Sequence, residues 1–433
     1  MELKIEEFQL EGGFELELPA MYPARQKFAR TKIEAQAIPA LMHTESQRKQ
    51  LATKIKPGMK IAVGVGSRGI TNLQAIVKAT ITELKALGAE PFIVPAMGSH
   101  GAGKAEGQAK ILAGYGITEA EVGAPVRASM ETVYLGKAFG DVEVYFDRLA
   151  YEEAEGIIVI ARIKPHTDFK GEIESGIMKM LGIGLGKHKG ASYLHKGGMG
   201  DFAELIPAVG RHIIEHTPFL FGVGIIENSF HETAHIEIVL KDQLPGREKE
   251  LLAEAKRLMP KLLCKEIDVL IVDEIGKNIS GSGMDSNIIG RSSCNQSLVF
   301  DAPPINKIVV LNLTKETKGN ASGIGLADYT TVRTVESIDF AALYANSTTA
   351  VEINGAKLPV MLATDQKAIV TAIRTAGRRK INDVKVVRIK NTLELDQILI
   401  SENLVNEAAG HAQMEVGETA VSWTFDENGN LIK

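Results

Sequence analysis

A two-domain α/β fold is what this sequence predicts, on three observations. The chain has 433 residues; its apolar share of 45% contains few aromatics, at 5%; and its apolar strand-like runs end in glycine-rich turns that lead into helical periodicity. A single core stops growing at about 250–300 residues, so the length asks for a second one. Few aromatics and many Ile, Val, Leu and Ala suit buried strands covered by helices. With 49 basic and 54 acidic side chains the formal net charge is -5, which argues against a nucleic acid polymer as partner while leaving room for local basic clusters that hold phosphate. Cys264 and Cys294 are too few for a disulfide framework or an iron-sulfur site.

The opening MELKIEEFQLEGGFELELP alternates like strands and places acids where a signal peptide needs a basic start and an apolar run, which predicts an N-terminal ribbon in a cytoplasmic protein without a membrane segment. Lys60 to Val65 reads as a buried strand ending in GVGSRGIT, with Thr71 or Asn72 to cap a helix whose apolar face runs through Leu73, Ile76, Val77, Ile81 and Leu84. PFIVPAM returns as a strand before GSHGAGKAEG, and GIIVIA at Gly156 to Ala161 leads into RIKPHTDFKGE. Each of these loops follows a strand, where open α/β sheets place ligands. REKELLAEAKRLMPKLLCKE predicts an amphipathic helix and EIDVLIVDEI a new strand, which puts a domain boundary near residues 255 to 265 and divides the chain into 1–262 and 263–433. KIVVLNL, VVRIK and the helical DQKAIVTAIRTAG make the second domain α/β as well.

Ile163 to His195 holds three His, five Lys and six Gly within 33 residues, a mixture that suits a phosphorylated cofactor: close backbone, positive charge, and nitrogens that ligate a metal or move protons. Arg68, with the backbone around Ser67 and Gly69, offers a planar donor fork and N–H groups for an anion, or else marks a tight turn with an exposed arginine. His100 lies among glycines that leave its ring uncovered, and it is either a proton carrier or an idle loop residue. His166 follows Pro165 and precedes Asp168, which either orients the imidazole or caps the turn. Lys179 lies on an apolar stretch where desolvation makes an amine nucleophilic, or where a structural lysine snorkels. His195 supplies one imidazole, so any metal held there brings its other ligands with it. HETAH, from His231 to His235, matches the zinc-hydrolase HExxH pattern, but it runs into IEIVL, which favours a strand; there i and i+4 lie roughly 13 Å apart, too far to chelate one ion. His212 and His216 read as a polar pair on one helical face.

Taken together, MGSHGAG, KPHTDFKG, SGIMKM, GSRG and the sixteen-residue interval from Lys179 to His195 resemble the nickel-dependent lactate racemase family over nearly the whole chain. The resemblance implies a two-domain lactate-racemase-like architecture with a ligand cleft between the domains, residues 1–262 holding cofactor and catalytic groups and residues 263–433 closing over substrate. It implies a nickel-pincer nucleotide covalently attached at Lys179, His195 as nickel ligand, His100 and His166 as the acid/base pair, and Arg68 on the substrate carboxylate. Ser67, Gly69, Lys187 and Lys189 then belong to the cofactor-binding set. The implied activity is racemisation or epimerisation at C2 of a small 2-hydroxy acid, through a planar 2-keto acid, with cofactor-maturation proteins as partners. Departures bear on the substrate: VGSRG replaces an acidic residue before a Thr-Arg-Pro turn, Gly176-Ile177-Met178 replaces a glycine pair, and the Gln-x-x-Lys motif gives way to DEIGKNISGSGMDSNIIGR, which offers Lys277, Asp285, Asn287 and Arg291 for substrate binding. Two other functions fit the same residues, an epimerase for a larger sugar acid and a noncatalytic nucleotide- or metal-binding sensor.

Overall fold

The computed structural model describes residues 8–432, and it divides into two compact units, Ala29–Met259 and the chain up to Phe28 together with Pro260 onward. Each unit is built on its own sheet. No helix among the described residues is long and apolar enough to cross a membrane. The strands in chain order are β1 (Met21–Gln26), β2 (Lys60–Val65), β3 (Glu90–Pro95), β4 (Thr132–Ala138), β5 (Val142–Asp147), β6 (Gly156–Arg162), β7 (Phe219–Glu227), β8 (Thr233–Leu240), β9 (Ile267–Val272), β10 (Ile305–Val310), β11 (Tyr329–Thr331), β12 (Val360–Leu362), β13 (Val386–Ile389), β14 (Gln397–Ser401) and β15 (Met414–Val416).

In the Ala29–Met259 unit the sheet order is β3-β2-β6-β7-β8, parallel except for β8, which returns antiparallel on β7. Successive side chains of a strand point to opposite faces, and both faces are covered here. Ile157 and Val159 join a core with Ile177, Met178, Phe202 and Val209 on one side, while Ile158 and Ile160 join Ile61, Val63, Ile76 and Ile81 on the other. That double burial explains why GIIVIA is apolar throughout instead of alternating. The chain leaves β2 toward β3 on one side and returns to β6 on the other, so the sheet has a topological switch between β2 and β6. Val65 pairs with both Pro95 and Ile160, so β2 and β3 end at one level, and β6 beside β2 runs two residues further, to Arg162.

Helix Leu73–Ala86 begins where the sequence places it, but no side chain caps it. Asn72 stands at the cap position with a left-handed backbone (φ 64) and turns its amide to Thr233 Oγ1 at 3.1 Å instead. The HETAH segment is a turn at His231 leading into β8, so its two histidines never share a helix. His235 meets Glu254 at 2.9 Å and Glu237 at 3.4 Å. His212 and His216 stack on helix Phe202–His216, 4.0 Å between centroids.

The second unit carries an eight-stranded sheet, β12-β11-β10-β9-β13-β14-β1-β15, parallel from β12 to β13 and antiparallel beyond. Helix Asp365–Arg374 packs Ala368, Ile369, Ala372 and Ile373 on it. The first strand corrects the sequence reading in two ways. Residues 8–20 form no strand, whereas the ribbon expected over residues 1–7 lies outside the described residues. β1 pairs antiparallel with β14 and β15, so this N-terminal strand is not part of the 29–259 unit. Strand partners this distant in sequence leave no local periodic signal.

Candidate functional site

The three loops at the carboxyl ends of β3, β2 and β6 carry His100, Arg68 and His166, and each is held by named bonds. In the first, Gln108, fully buried, donates its amide to Gly98 O at 2.9 Å and His100 O at 3.2 Å. His100 is exposed, with Nδ1 against the Ser67 hydroxyl; because a hydroxyl both donates and accepts, both tautomers of the ring stay open. Ser67 O accepts from Tyr115 Oη at 2.6 Å. Arg68 is exposed beside it and lies close enough to Arg162 for their charges to repel.

His166 is anchored through its backbone on both sides. Its N–H goes to Glu174 Oε2 at 2.6 Å and its carbonyl accepts from Lys170 Nζ at 2.8 Å. Glu174 is fully buried and also pairs with Lys256 at 2.6 Å. The expected Asp168 carboxylate stands 3.9 Å from Nδ1; it is the Asp168 backbone N–H, at 3.0 Å, that meets this nitrogen. A backbone N–H only donates, so Nδ1 accepts and the neutral ring carries its proton on Nε2. Burial, then the charges of Lys179, Lys164 and Lys170, hold this imidazole well below its ordinary pKa.

Lys179 and His195 arise from one nearly continuous helical run. Ile177–Lys179 opens it as α-helix, Met180–Gly184 widens into a π-helical turn, and Lys187–His195 closes it. Such π turns recur at functional sites. The π turn packs against the loop after β3: Gly98, in the left-handed region at φ 57, donates to Gly184 O at 3.1 Å, and a Cβ on Gly184 would meet Ala96 O at 2.8 Å. Loss of water pushes the Lys179 amine down to about 7; Asp168 opposes the shift and Arg68 and Lys164 add to it. Phe169 bridges the cluster, its ring 4.5 Å from His166 and 5.6 Å from Lys179 Nζ. Phe202 meets Phe169 edge to face, 5.5 Å between centroids, and lies tilted against His195 at 5.0 Å. Burial, then the Lys179 charge, lowers His195 to about 4, and its buried Nδ1 has no hydrogen-bond partner among the described residues.

These observations test whether the residues suit the implied cofactor. A neutral imidazole with an unpartnered buried nitrogen suits a metal ligand, and an amine that is about half neutral near pH 7 suits covalent attachment. Among the described residues no cluster of three or more His, Cys, Asp or Glu is placed to hold a metal ion, so protein ligands alone do not build a metal centre here.

Other sequence candidates have different roles. Lys187, expected to face phosphate, is fully buried; its ammonium meets Asp147 at 2.6 Å and Pro95 O at 2.5 Å, so its charge is already neutralised. This pair ties the start of helix Lys187–His195 to the ends of β5 and β3. Lys189 is exposed and lies over the Tyr145 ring at 4.1 Å. Gly69 is exposed in the loop after β2. In the other unit, Lys277 donates to Gly281 O at 2.6 Å, Asp285 accepts from the Asn287 backbone at 3.0 Å and side chain at 2.7 Å, and Arg291 is tied to Asp328 at 2.8 Å and to the Leu326, Ile305 and Asn306 carbonyls. These bonds hold the Arg291 guanidinium against its own unit. A hollow of about 270 Å³ bounded by Lys54, Leu220, Leu240, Lys241 and Asp242 lies at the amino end of β7, away from these loops.

Sequence reasoning missed Phe169, Phe202, Gln108 and Glu248. Glu248 is buried on helix Gly246–Leu258 with Leu251, Leu252 and Ala255, at the spacing of an apolar stripe; a glutamate on that stripe was the available signal. Its carboxyl takes the Met178 N–H at 3.1 Å and that of Ile177, and burial raises it from 4.5 to about 7. The folded state therefore keeps a proton that the unfolded chain releases, so stability is expected to fall as pH rises from about 4.5 to about 7, by about 3 kcal/mol. Denaturant midpoints of wild type and Glu248→Gln across that range check this, the variant lacking that component; parallel curves would refute it.

Among solved structures, the lactate racemase apoprotein from Thermoanaerobacterium thermosaccharolyticum is similar to this chain, at 11% identity over 84% of this chain and 83% of that chain, with a TM-score of 0.45. No family model matches the sequence. No curated protein matches it either.

Proposed function

We propose that the protein inverts the C2 centre of a 2-hydroxy acid as a racemase or epimerase, using a nickel-pincer nucleotide attached through Lys179 with His195 as nickel ligand. The observation that carries this reading is the strand order β3-β2-β6, which puts the loops of His100, Arg68 and His166 side by side at a switch point. The charges of His166, Lys179 and His195 are mutually felt, and Arg68 acts on Lys179. The residue resemblance supplies the chemical identity.

When bound, the cofactor supplies reversible acceptance of the C2 hydrogen with its electron pair. The chain supplies the rest. Arg68 binds the carboxylate through its planar fork. His100, open to either tautomer, takes the hydroxyl proton, and His166 presents the proton on Nε2 to the same oxygen. For His166 to move a proton itself, the Asp168 N–H must release Nδ1: with that nitrogen free the ring can take a second proton there and give up the one on Nε2 without passing through an imidazolate. Phe169 and Phe202 keep water from the sides of the His166 and His195 rings that they pack against.

The test is intact mass after coexpression with a cofactor-making system, followed by peptide mapping. A covalent adduct on Lys179 is the expected result; an unmodified lysine under conditions that mature a lactate racemase overturns the reading. His100→Ala and His166→Ala are each expected to slow interconversion of a 2-hydroxy acid's enantiomers by about 10²–10⁴ while leaving the adduct in place. Polarimetric rates beside adduct yields check this, and unchanged rates in both variants would remove the two histidines from the mechanism.

A further inference from the structure

The helical run that carries Lys179 begins at Ile177, directly after Gly176, and a carboxyl group from a helix 70 residues away closes the start of that run. Glu248 is 1% exposed, and it takes the Met178 and Ile177 amides that a helix start leaves without internal partners. Its other oxygen lies so close to Gly176 that a Cβ there would stand 2.1 Å from it, with Ile163 Cγ1 at 3.2 Å behind. A residue larger than glycine thus displaces the carboxyl. Lys179 stands one residue beyond Met178, so the direction of the capped turn sets where its amine projects.

We infer that Glu248 is a positioning residue for Lys179: docked against Gly176, its carboxyl fixes the first turn of the helical run and so keeps the amine in the desolvated pocket beside Phe169. The inference rests on the proposed reading of Lys179 as the cofactor's point of attachment, but the geometry it describes belongs to the chain alone. A carboxamide offers the same acceptor oxygen as a carboxyl group, so Glu248→Gln retains the cap. Glu248→Ala removes it, and Gly176→Ala pushes it aside with the glutamate still present. Without the cap the turn frays and the amine reaches water, where its proton affinity returns toward that of an ordinary lysine.

The experiment uses the full chain without cofactor, labelled with acetic anhydride over a pH series and read by peptide mass spectrometry at Lys179. The groups acting on this amine include Asp168, Arg68, Lys164 and Glu174, with His166 and His195 also within reach of its charge, and none is altered in the variants. Wild type and Glu248→Gln are expected to label with a midpoint near 7, while Glu248→Ala and Gly176→Ala shift upward by a unit or more. After coexpression with the cofactor-making system, the latter two are expected to lose tenfold or more of the adduct, with Glu248→Gln near wild type. A lowered melting temperature with an unchanged Lys179 midpoint and unchanged adduct overturns the inference, because a purely structural glutamate gives that pattern. A shifted midpoint alongside a wild type that never forms adduct upholds the positioning role and rejects Lys179 as the attachment point.

Discussion

Lys179→Ala is expected to abolish the covalent adduct and reduce 2-hydroxy-acid interconversion to background, the largest effect on activity that any single substitution should have. An alanine provides no nucleophile, and no neighbour replaces it: Lys164 and Lys170 enter this cluster as charges acting on Lys179 or His166, while Lys187 is sealed against Asp147. The attachment should also depend on pH in a defined direction. With its amine held down to about 7, Lys179 is mostly neutral at pH 8 and loses about tenfold of its nucleophilic form for each unit below 7. An ordinary lysine near 10.5 would lose that form throughout this range. Adduct formation in a purified maturation mixture at pH 6, 7 and 8 reads this directly; a rate still climbing tenfold from pH 7 to pH 8 would show a lysine in water. His195→Ala is expected to leave the adduct and lose nickel, measured by metal analysis of the same samples.

Asp147→Ala is expected to have the largest effect on stability, about 3–5 kcal/mol from the buried charge it strands and about 1 kcal/mol more from a lost helix cap. Lys187 and Asp147 are both fully buried and 2.6 Å apart, and Asp147 also accepts the Ala150 N–H at 2.8 Å at the start of helix Arg148–Glu153. Lys187 is further held with a left-handed backbone, φ 56, which a side chain rarely adopts without support. Combining Asp147→Ala with Lys187→Met removes the stranded ammonium, and is expected to recover most of the loss. Chemical denaturation of the three variants checks the order. Equal stability of Asp147→Ala and wild type would mean that water reaches the ammonium, and would reopen Lys187 as a phosphate contact.

Much of this was legible in the residues, for reasons that differ by element. Lys60 to Val65 and GIIVIA are apolar throughout because both faces of their sheet are covered, so uniform apolarity there meant a central parallel strand. The loop after β3 holds glycine where backbone approaches backbone, as at Gly98 against the π turn that contains Gly184. HETAH was readable as a strand because its β-branched continuation outweighs the motif. What stayed hidden depended on partners far along the chain. Lys187 looked like a phosphate ligand among its lysines, and only Asp147 at the end of another strand shows otherwise. Glu248 looked like one more charge on a charged helix. The backbone of Asp168, and not its carboxylate, steadies His166, which side-chain chemistry alone does not reveal.

Strand β1 has a consequence for the order of assembly. Met21 pairs with Ser401, so β1 has to wait for a partner synthesised about 380 residues later. At about 5–20 residues per second, that interval is about 20–80 s. Residues 29–259, which form a compact unit of their own, are all made within that interval, between the two segments of the other unit. Until then β1 lacks its partners, and Pro23, with no N–H to donate, and the exposed Arg25 are the kind of residues that keep a waiting edge from pairing with another chain.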